Sequence, residues 1–200
     1  MNLANRITLS RLFLIPIFML FTTEIPSYID KVFNFQVFDD YGMYIATGIF
    51  IIAAITDKLD GYIARKYNQI TKFGVFLDPL VDKLLITGAL LLLVQFQKTP
   101  WWMAVVIIVR EFAVTGFRLA AVKKGIVLPA DKLGKIKMVF QVVAIVMTML
   151  NNYPLSLISE FRFDILMMFI ATILTLYSGI NYFMANRNVF HEDDRCINKV

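Results

Sequence analysis

The sequence predicts an all-α, polytopic membrane protein with six transmembrane helices and both termini in the cytoplasm. Three observations carry that prediction. First, 58% of the 200 residues are hydrophobic and the mean hydropathy is +0.68, against about 45–50% apolar for an ordinary soluble domain. Second, the apolar residues gather into six runs, about 7–21, 41–64, 74–96, 101–122, 136–150 and 165–183, most of them near the ~20 residues that cross the hydrocarbon core. Third, the basic residues are placed asymmetrically. Only Lys31, Lys98 and Arg162 fall in the loops of one side, while Lys58, Lys83 and Arg110 lie within runs. The rest of the twenty Lys and Arg residues occupy the N-terminus, the loops 65–72 and 118–137, and the C-terminal tail, which the positive-inside rule places in the cytoplasm.

Taken in order, the first run follows Arg6 and Arg11 and lacks a small-x-small cleavage pattern, so it reads as a retained span. The second and third runs are separated by a short basic connection and are expected to be antiparallel neighbours. The fourth begins at Trp101 and Trp102, where an interfacial aromatic belt belongs. The fifth starts among the lysines of GKIKMVFQ, and the sixth is followed by the polar tail HEDDRCINKV. Neither a repeat nor a linker interrupts the chain, so residues 1–200 read as one domain.

Composition also excludes function classes. A net charge of +5 with only 18% charged residues is too sparse for a nucleic-acid binder and fits basic loops facing anionic membrane lipids. One cysteine excludes an internal disulfide framework, and one histidine argues against multi-histidine zinc sites and His-based triads. A metal here would be held by oxygen, which selects Mg²⁺, Mn²⁺ or Ca²⁺.

The second and third runs meet in ITDKLDGYIARKYNQITKFGVFLDPLVDK. Asp57 and Asp60 are spaced i, i+3 and Asp78 and Asp82 i, i+4, so on helices each pair shares a face. Four clustered carboxylates repel one another unless a cation compensates, and one or two divalent ions would do so. The competing reading is an interfacial charge network with Lys58, Arg65, Lys66, Lys72 and Lys83. Gly61 and Ala64 leave a small-residue surface beside the acids, and Arg65 adds a forked donor suited to phosphate. Metal, gap and arginine together describe a diphosphate site.

The pattern Asp57-x2-Asp60-Gly61-x2-Ala64-Arg65-x8-Gly74-x3-Asp78-x3-Asp82 matches the signature of the CDP-alcohol phosphatidyltransferases at all eight positions, over residues 57–82. The resemblance implies a six-helix homodimer with a site open to the cytoplasm and Mg²⁺ or Mn²⁺, two ions, as cofactor. Asp57, Asp60 and Asp78 would be metal ligands, and Asp82 both a ligand and the general base. Gly61, Arg65 and Thr71 would hold the CDP moiety, with Ala64 and Gly74 lining it. The implied chemistry is attack of an acceptor hydroxyl on the phosphorus of a CDP-lipid, with CMP leaving.

NRITLSR resembles an element that precedes the first span in relatives. Asn5 and Thr8 would bond the nucleotide and Arg11 a phosphate; helix caps and snorkelling arginines are the simpler account. Arg110 and Glu111 lie well inside the fourth run, where an ionisable residue marks function or a buried ion pair. With Arg118, Lys135 and Lys137, Arg110 is expected to form a basic pocket that takes an acceptor's own phosphate, although the lysines alone would also suit headgroup anchoring. REF and GKIK resemble segments of bacterial phosphatidylglycerophosphate synthases, which makes CDP-diacylglycerol the donor and sn-glycerol 3-phosphate the acceptor in the cell membrane. Alternatives are cardiolipin, phosphatidylserine or phosphatidylinositol-phosphate synthesis within the family. Outside it stands a cation transporter, which the apolar stretches ALLLLVQF and IFIIAAI beyond the acids argue against.

Overall fold

A computed structural model describes residues 13–22, 36–66, 72–123, 126, 128, 132–157 and 161–187; within these, the side chains of 36–40, 57–66, 72–80, 82, 123 and 132 are outside the description. The described residues form six helices and no strand: α1 (13–20), α2 (Gln36–Lys66), α3 (Lys72–Gln95), α4 (Trp101–Lys123), α5 (Lys132–Met149) and α6 (Phe163–Ala185). A short 3₁₀ turn, Leu155–Leu157, sits between the last two. The helices match the apolar runs in number and order. They differ in length, above all at α2, which reaches 31 residues. Hydropathy marks only the apolar part of a helix: α2 extends beyond its run at both ends, by 36–40 and 65–66, and α5 begins four residues earlier, at Lys132.

One helix among those described, Phe163–Ala185, is long and apolar enough by itself to cross a membrane. Shorter apolar stretches, Tyr41–Thr56 and Lys83–Gln95, lie in α2 and α3. In α4 the run is interrupted by Arg110, Glu111 and Arg118.

α6 shows how the bundle is held. Its buried residues are Asp164, Met168, Ala171, Thr172, Thr175, Ser178, Gly179 and Tyr182, steps of three and four that trace one helical face. Most are small, which lets neighbouring helices approach closely, and α6 packs most extensively on α5 and then on α4. The threonine hydroxyls are satisfied within the helix: Thr172 donates to the Met168 carbonyl at 2.8 Å and Thr175 to that of Ala171 at 2.6 Å. Thus the stripe buries polar side chains without orphaning them.

The opposite face of α6 is apolar and exposed, with Ile173, Leu176, Ile180 and Met184. α4 does the same with Val105, Val109 and Leu119. Contiguous apolar surface of this kind marks contact with lipid or a partner. The core proper is filled by Phe18, Phe50, Leu90, Leu93, Ile107, Ile145, Met149 and Met168, none more than 1% exposed. Phe18 and Phe50 meet at 6.1 Å between ring centroids. At Gly42 a Cβ would lie 2.5 Å from the Phe21 carbonyl oxygen, so the end of α1 rests against the α2 backbone where only glycine fits.

The connections at one end are closed by backbone geometry. After α3, Gln97 takes φ 54°, and the Lys98 and Thr99 amides both donate to the Leu93 carbonyl. Pro100 then precedes α4. After α5, Asn151 and Asn152 take φ 52° and 64°, a left-handed conformation that asparagine tolerates, and the Asn152 amide donates to Met147 at 2.9 Å.

Candidate active site

A cavity of about 220 Å³ opens among α3, α4, α5 and α6. α3 contributes Lys83, the residue after Asp82. Arg110, Val114 and Arg118 follow at i, i+4 and i+8 on α4, so one helix face supplies both arginines. α5 contributes Gly134, Lys135, Lys137 and Met138, and α6 supplies Tyr182. The structure therefore brings together Arg110, Arg118, Lys135 and Lys137, which the sequence had placed on two separate helices.

The cations are held in different ways. Lys137, only 4% exposed, pairs with Glu111 Oε1, and Arg110 Nη1 lies 3.8 Å from the same oxygen. Burial and this ion pair argue against headgroup anchoring as the role of Lys137, while Lys135 lines the same cavity and is exposed. The arginines are met by neutral groups of α6. Arg110 Nη2 donates to Ser178 Oγ at 2.8 Å. Arg118 Nε donates to Tyr182 Oη at 3.0 Å, with its guanidinium carbon 4.9 Å from the ring centroid. Phe117 packs edge-on against Tyr182 and Phe183, at 6.1 and 5.0 Å. Five cationic side chains thus line the cavity with Glu111 as the single carboxylate among its described lining. Such an excess in a partly desolvated cleft favours an anion with several acceptor oxygens.

A second polar cavity, of about 430 Å³, lies at the other end of the bundle. There Arg162 Nη2 bonds Asp164 Oδ2 at 2.9 Å, and Lys98 Nζ donates to the Met149 carbonyl at 3.4 Å. The hydrogen bond to Asp164 holds the Arg162 guanidinium above its ordinary pKa. Burial pushes the Lys98 ammonium below its own, and Asp164 opposes that shift more weakly. Charge here is nearly balanced.

The model of one protein family, the CDP-alcohol phosphatidyltransferases, matches residues 1–177. The chain belongs to that family. It is 47% identical over 92% of its length to a Bacillus subtilis protein named CDP-diacylglycerol–glycerol-3-phosphate 3-phosphatidyltransferase, covering 95% of that relative. A Mycobacterium tuberculosis relative, named a probable phosphatidylglycerophosphate synthase, is 37% identical over 90% of this chain and 79% of its own. A Rickettsia felis protein with the same name as the Bacillus one is 32% identical over 94% and 97%.

The CDP-alcohol phosphatidyltransferase signature falls on two helices that pack together. Asp57, Asp60, Gly61, Ala64 and Arg65 lie on the continuous helical backbone of α2, and Gly74, Asp78 and Asp82 on that of α3. Their side chains lie outside the described residues, as do Asn5, Thr8, Arg11 and Thr71 altogether. Among the described residues no three acidic, histidine or cysteine side chains gather as metal ligands.

Sequence reading missed the α6 contribution. Ser178 and Tyr182 carry no charge and lie more than sixty positions from the arginines they meet, so no local pattern reports the contact. The available signal was a serine and glycine in the buried stripe with a tyrosine one turn on. Glu111 was read with Arg110, its neighbour in sequence; its closer partner is Lys137. Gln141, one turn beyond Lys137, is fully buried and has no hydrogen-bond partner at either amide atom.

Proposed function

We propose that the protein transfers the phosphatidyl group of CDP-diacylglycerol to sn-glycerol 3-phosphate, giving phosphatidylglycerophosphate and CMP. The single observation that carries this reading is the basic cavity: an acceptor with its own phosphate needs Arg110, Arg118, Lys135 and Lys137, and a plain alcohol does not. The names and full-length coverage of the relatives agree with it. Lys83, next in sequence to Asp82, lines the same cavity, so the acceptor phosphate would sit beside the signature helices.

In this reading Asp82 takes the proton of the acceptor hydroxyl, whose oxygen bonds to the phosphorus attached to diacylglycerol. The bond from that phosphorus to the CMP oxygen breaks, and CMP leaves. Gly61, Ala64, Arg65, Thr71 and Gly74, with Asn5 and Thr8, hold the CDP-lipid, and Arg11 supports the phosphates. Asp57, Asp60, Asp78 and Asp82 form an all-oxygen donor set that suits Mg²⁺ or Mn²⁺. Once bound, such ions offset diphosphate charge and lower the acceptor hydroxyl's pKa.

The same reading places six spans in the cell membrane, with the termini and the site on the cytoplasmic side, and pairs two chains as a homodimer. The exposed apolar faces of α4 and α6 support the membrane part of this arrangement.

The test is purified protein in detergent or liposomes with Mg²⁺ or Mn²⁺ and CDP-diacylglycerol, offered a panel of acceptors. CMP is expected with glycerol 3-phosphate, not with serine, inositol phosphate or phosphatidylglycerol, and chelation is expected to abolish its release. Release with a different acceptor moves the protein within the family. A complete lack of release in the presence of metal overturns the reading.

A further inference from the structure

We propose that the C-terminal half of α6 is a positioning wall for the acceptor's phosphate, acting through the two arginines of α4; this rests on the basic cavity being the acceptor site. Ser178 and Tyr182 are 1% and 3% exposed and lie one turn apart on the buried face of α6. Each contributes a hydroxyl to a different guanidinium, Ser178 to Arg110 and Tyr182 to Arg118. Gly179 lies between them, where a Cβ would stand 2.9 Å from Arg110 Cγ and 3.3 Å from Nε. The flank of Arg110 therefore runs across the α6 backbone, through a gap that only the missing side chain leaves.

The chemistry of these partners differs from that on the other side of the cavity. Glu111 lends its negative charge to Lys137 and, more distantly, to Arg110, whose Nη1 lies 3.8 Å from the same oxygen. A serine or tyrosine hydroxyl fixes a guanidinium's direction and leaves its charge intact. The ring of Tyr182 adds a π face against Arg118 at 4.9 Å, which again orders the group without cancelling its charge. Long arginine side chains lose rotamer freedom on binding an anion, and a guanidinium already held in place has less to lose. α6 thus raises affinity for a phosphorylated acceptor by holding the two arginines in place. Ser178, Gly179 and Tyr182 are positioning residues in this scheme.

The experiment measures CMP release at saturating CDP-diacylglycerol while glycerol 3-phosphate is varied, for Tyr182→Phe, Ser178→Ala, Arg118→Ala and the Tyr182→Phe/Arg118→Ala pair. Tyr182→Phe keeps the ring and its packing, and both single changes on α6 are small enough to preserve the fold, checked by a thermal melt. The KM for glycerol 3-phosphate is expected to rise about tenfold in Tyr182→Phe, as for loss of one hydrogen bond to a charged group. A smaller rise is expected in Ser178→Ala, with the KM for CDP-diacylglycerol unchanged in both. In the Arg118→Ala background, Tyr182→Phe should add nothing, because its effect passes through that arginine. If Arg118→Ala raises this KM and the α6 variants do not, the wall is overturned and the acceptor site stands. If Arg118→Ala itself leaves the KM unchanged, the acceptor-site reading falls and the wall with it. Equal rises for both substrates together with a lowered melting temperature also overturn it, since packing alone would do that.

Discussion

At one end of the bundle Lys83, Arg110, Arg118, Lys135 and Lys137 share a cavity with one carboxylate among the described lining, Glu111; at the other, Lys98 and Arg162 share a cavity with Asp164 and neutral amides. Both cavities are polar and both are built from helix ends and side chains that an apolar bundle holds. The difference lies in what the helices leave over. In the second cavity Arg162 grips Asp164 through two nitrogens, Lys98 turns to a helix-terminal carbonyl, and left-handed Gln97, Asn151 and Asn152 close the connections. That end pairs most of its charge internally, although Asn152 Oδ1 and Thr99 Oγ1 are buried without a hydrogen-bond partner. In the first, cations outnumber the carboxylates among the described lining, and α6 adds hydroxyls to two of them. An excess of one charge in a cleft favours an anionic ligand, and it separates the two ends more clearly than polarity does.

Three substitutions sharpen that comparison. The largest effect is expected from Glu111→Gln, which leaves the Lys137 ammonium buried opposite a neutral amide. Breaking a buried pair from one side costs about 3 kcal/mol, so the midpoint in a chemical or thermal melt should fall clearly. A melt unchanged from the parent would mean that Lys137 finds solvent or another acceptor.

Arg162→Ala should cost less, about 1–2 kcal/mol, although it strands an Asp164 side chain that is 2% exposed. Arg162 itself is 58% exposed, and an exposed partner contributes less than a buried one. CMP release should stay within about twofold of the parent, since this cavity lies at the other end of the bundle from the proposed site; a large loss of activity with little loss of stability would erase the distinction between the two cavities.

The smallest effect is a pH slope. The Lys98 pKa is lowered on folding by burial, so between the folded and unfolded values the unfolded chain binds more protons and stability rises with pH. Replacing Lys98 by Met should flatten the melting temperature across that alkaline window. An undiminished slope would show that Lys98 is not its source.

How much of this could be read from sequence differs between the same two regions. Apolar runs announced the helices because a lipid-facing or core-facing helix must be apolar for most of its length. They understated α2, which begins at Gln36 and ends at Lys66 where the apolar run covers 41–64, since a helix needs no hydropathy to continue through polar residues at its ends. Arg110 was legible because a charge inside an apolar run is costly and stands out, and Arg118, Lys135 and Lys137 because they crowd the basic connection that follows the same run. Ser178, Gly179 and Tyr182 were not, because small and hydroxylated residues cost little in a helix and their purpose exists only after two helices meet. The second cavity was missed for a related reason. Lys98 and Arg162 were read as the sparse charges of outer loops; Asp164 stands only two residues beyond Arg162, but nothing local to Lys98 announces that the two loops meet.

The placement of Tyr182 near the end of the last helix has a consequence for how the protein comes into being. A ribosome has finished α4 and α5, with their arginines and lysines, well before it reaches Ser178. Until α6 docks, Arg110 and Arg118 lack the hydroxyls of Ser178 and Tyr182. On the proposed reading, the acceptor pocket is therefore completed late in synthesis, with α6, after the signature helices have already been made.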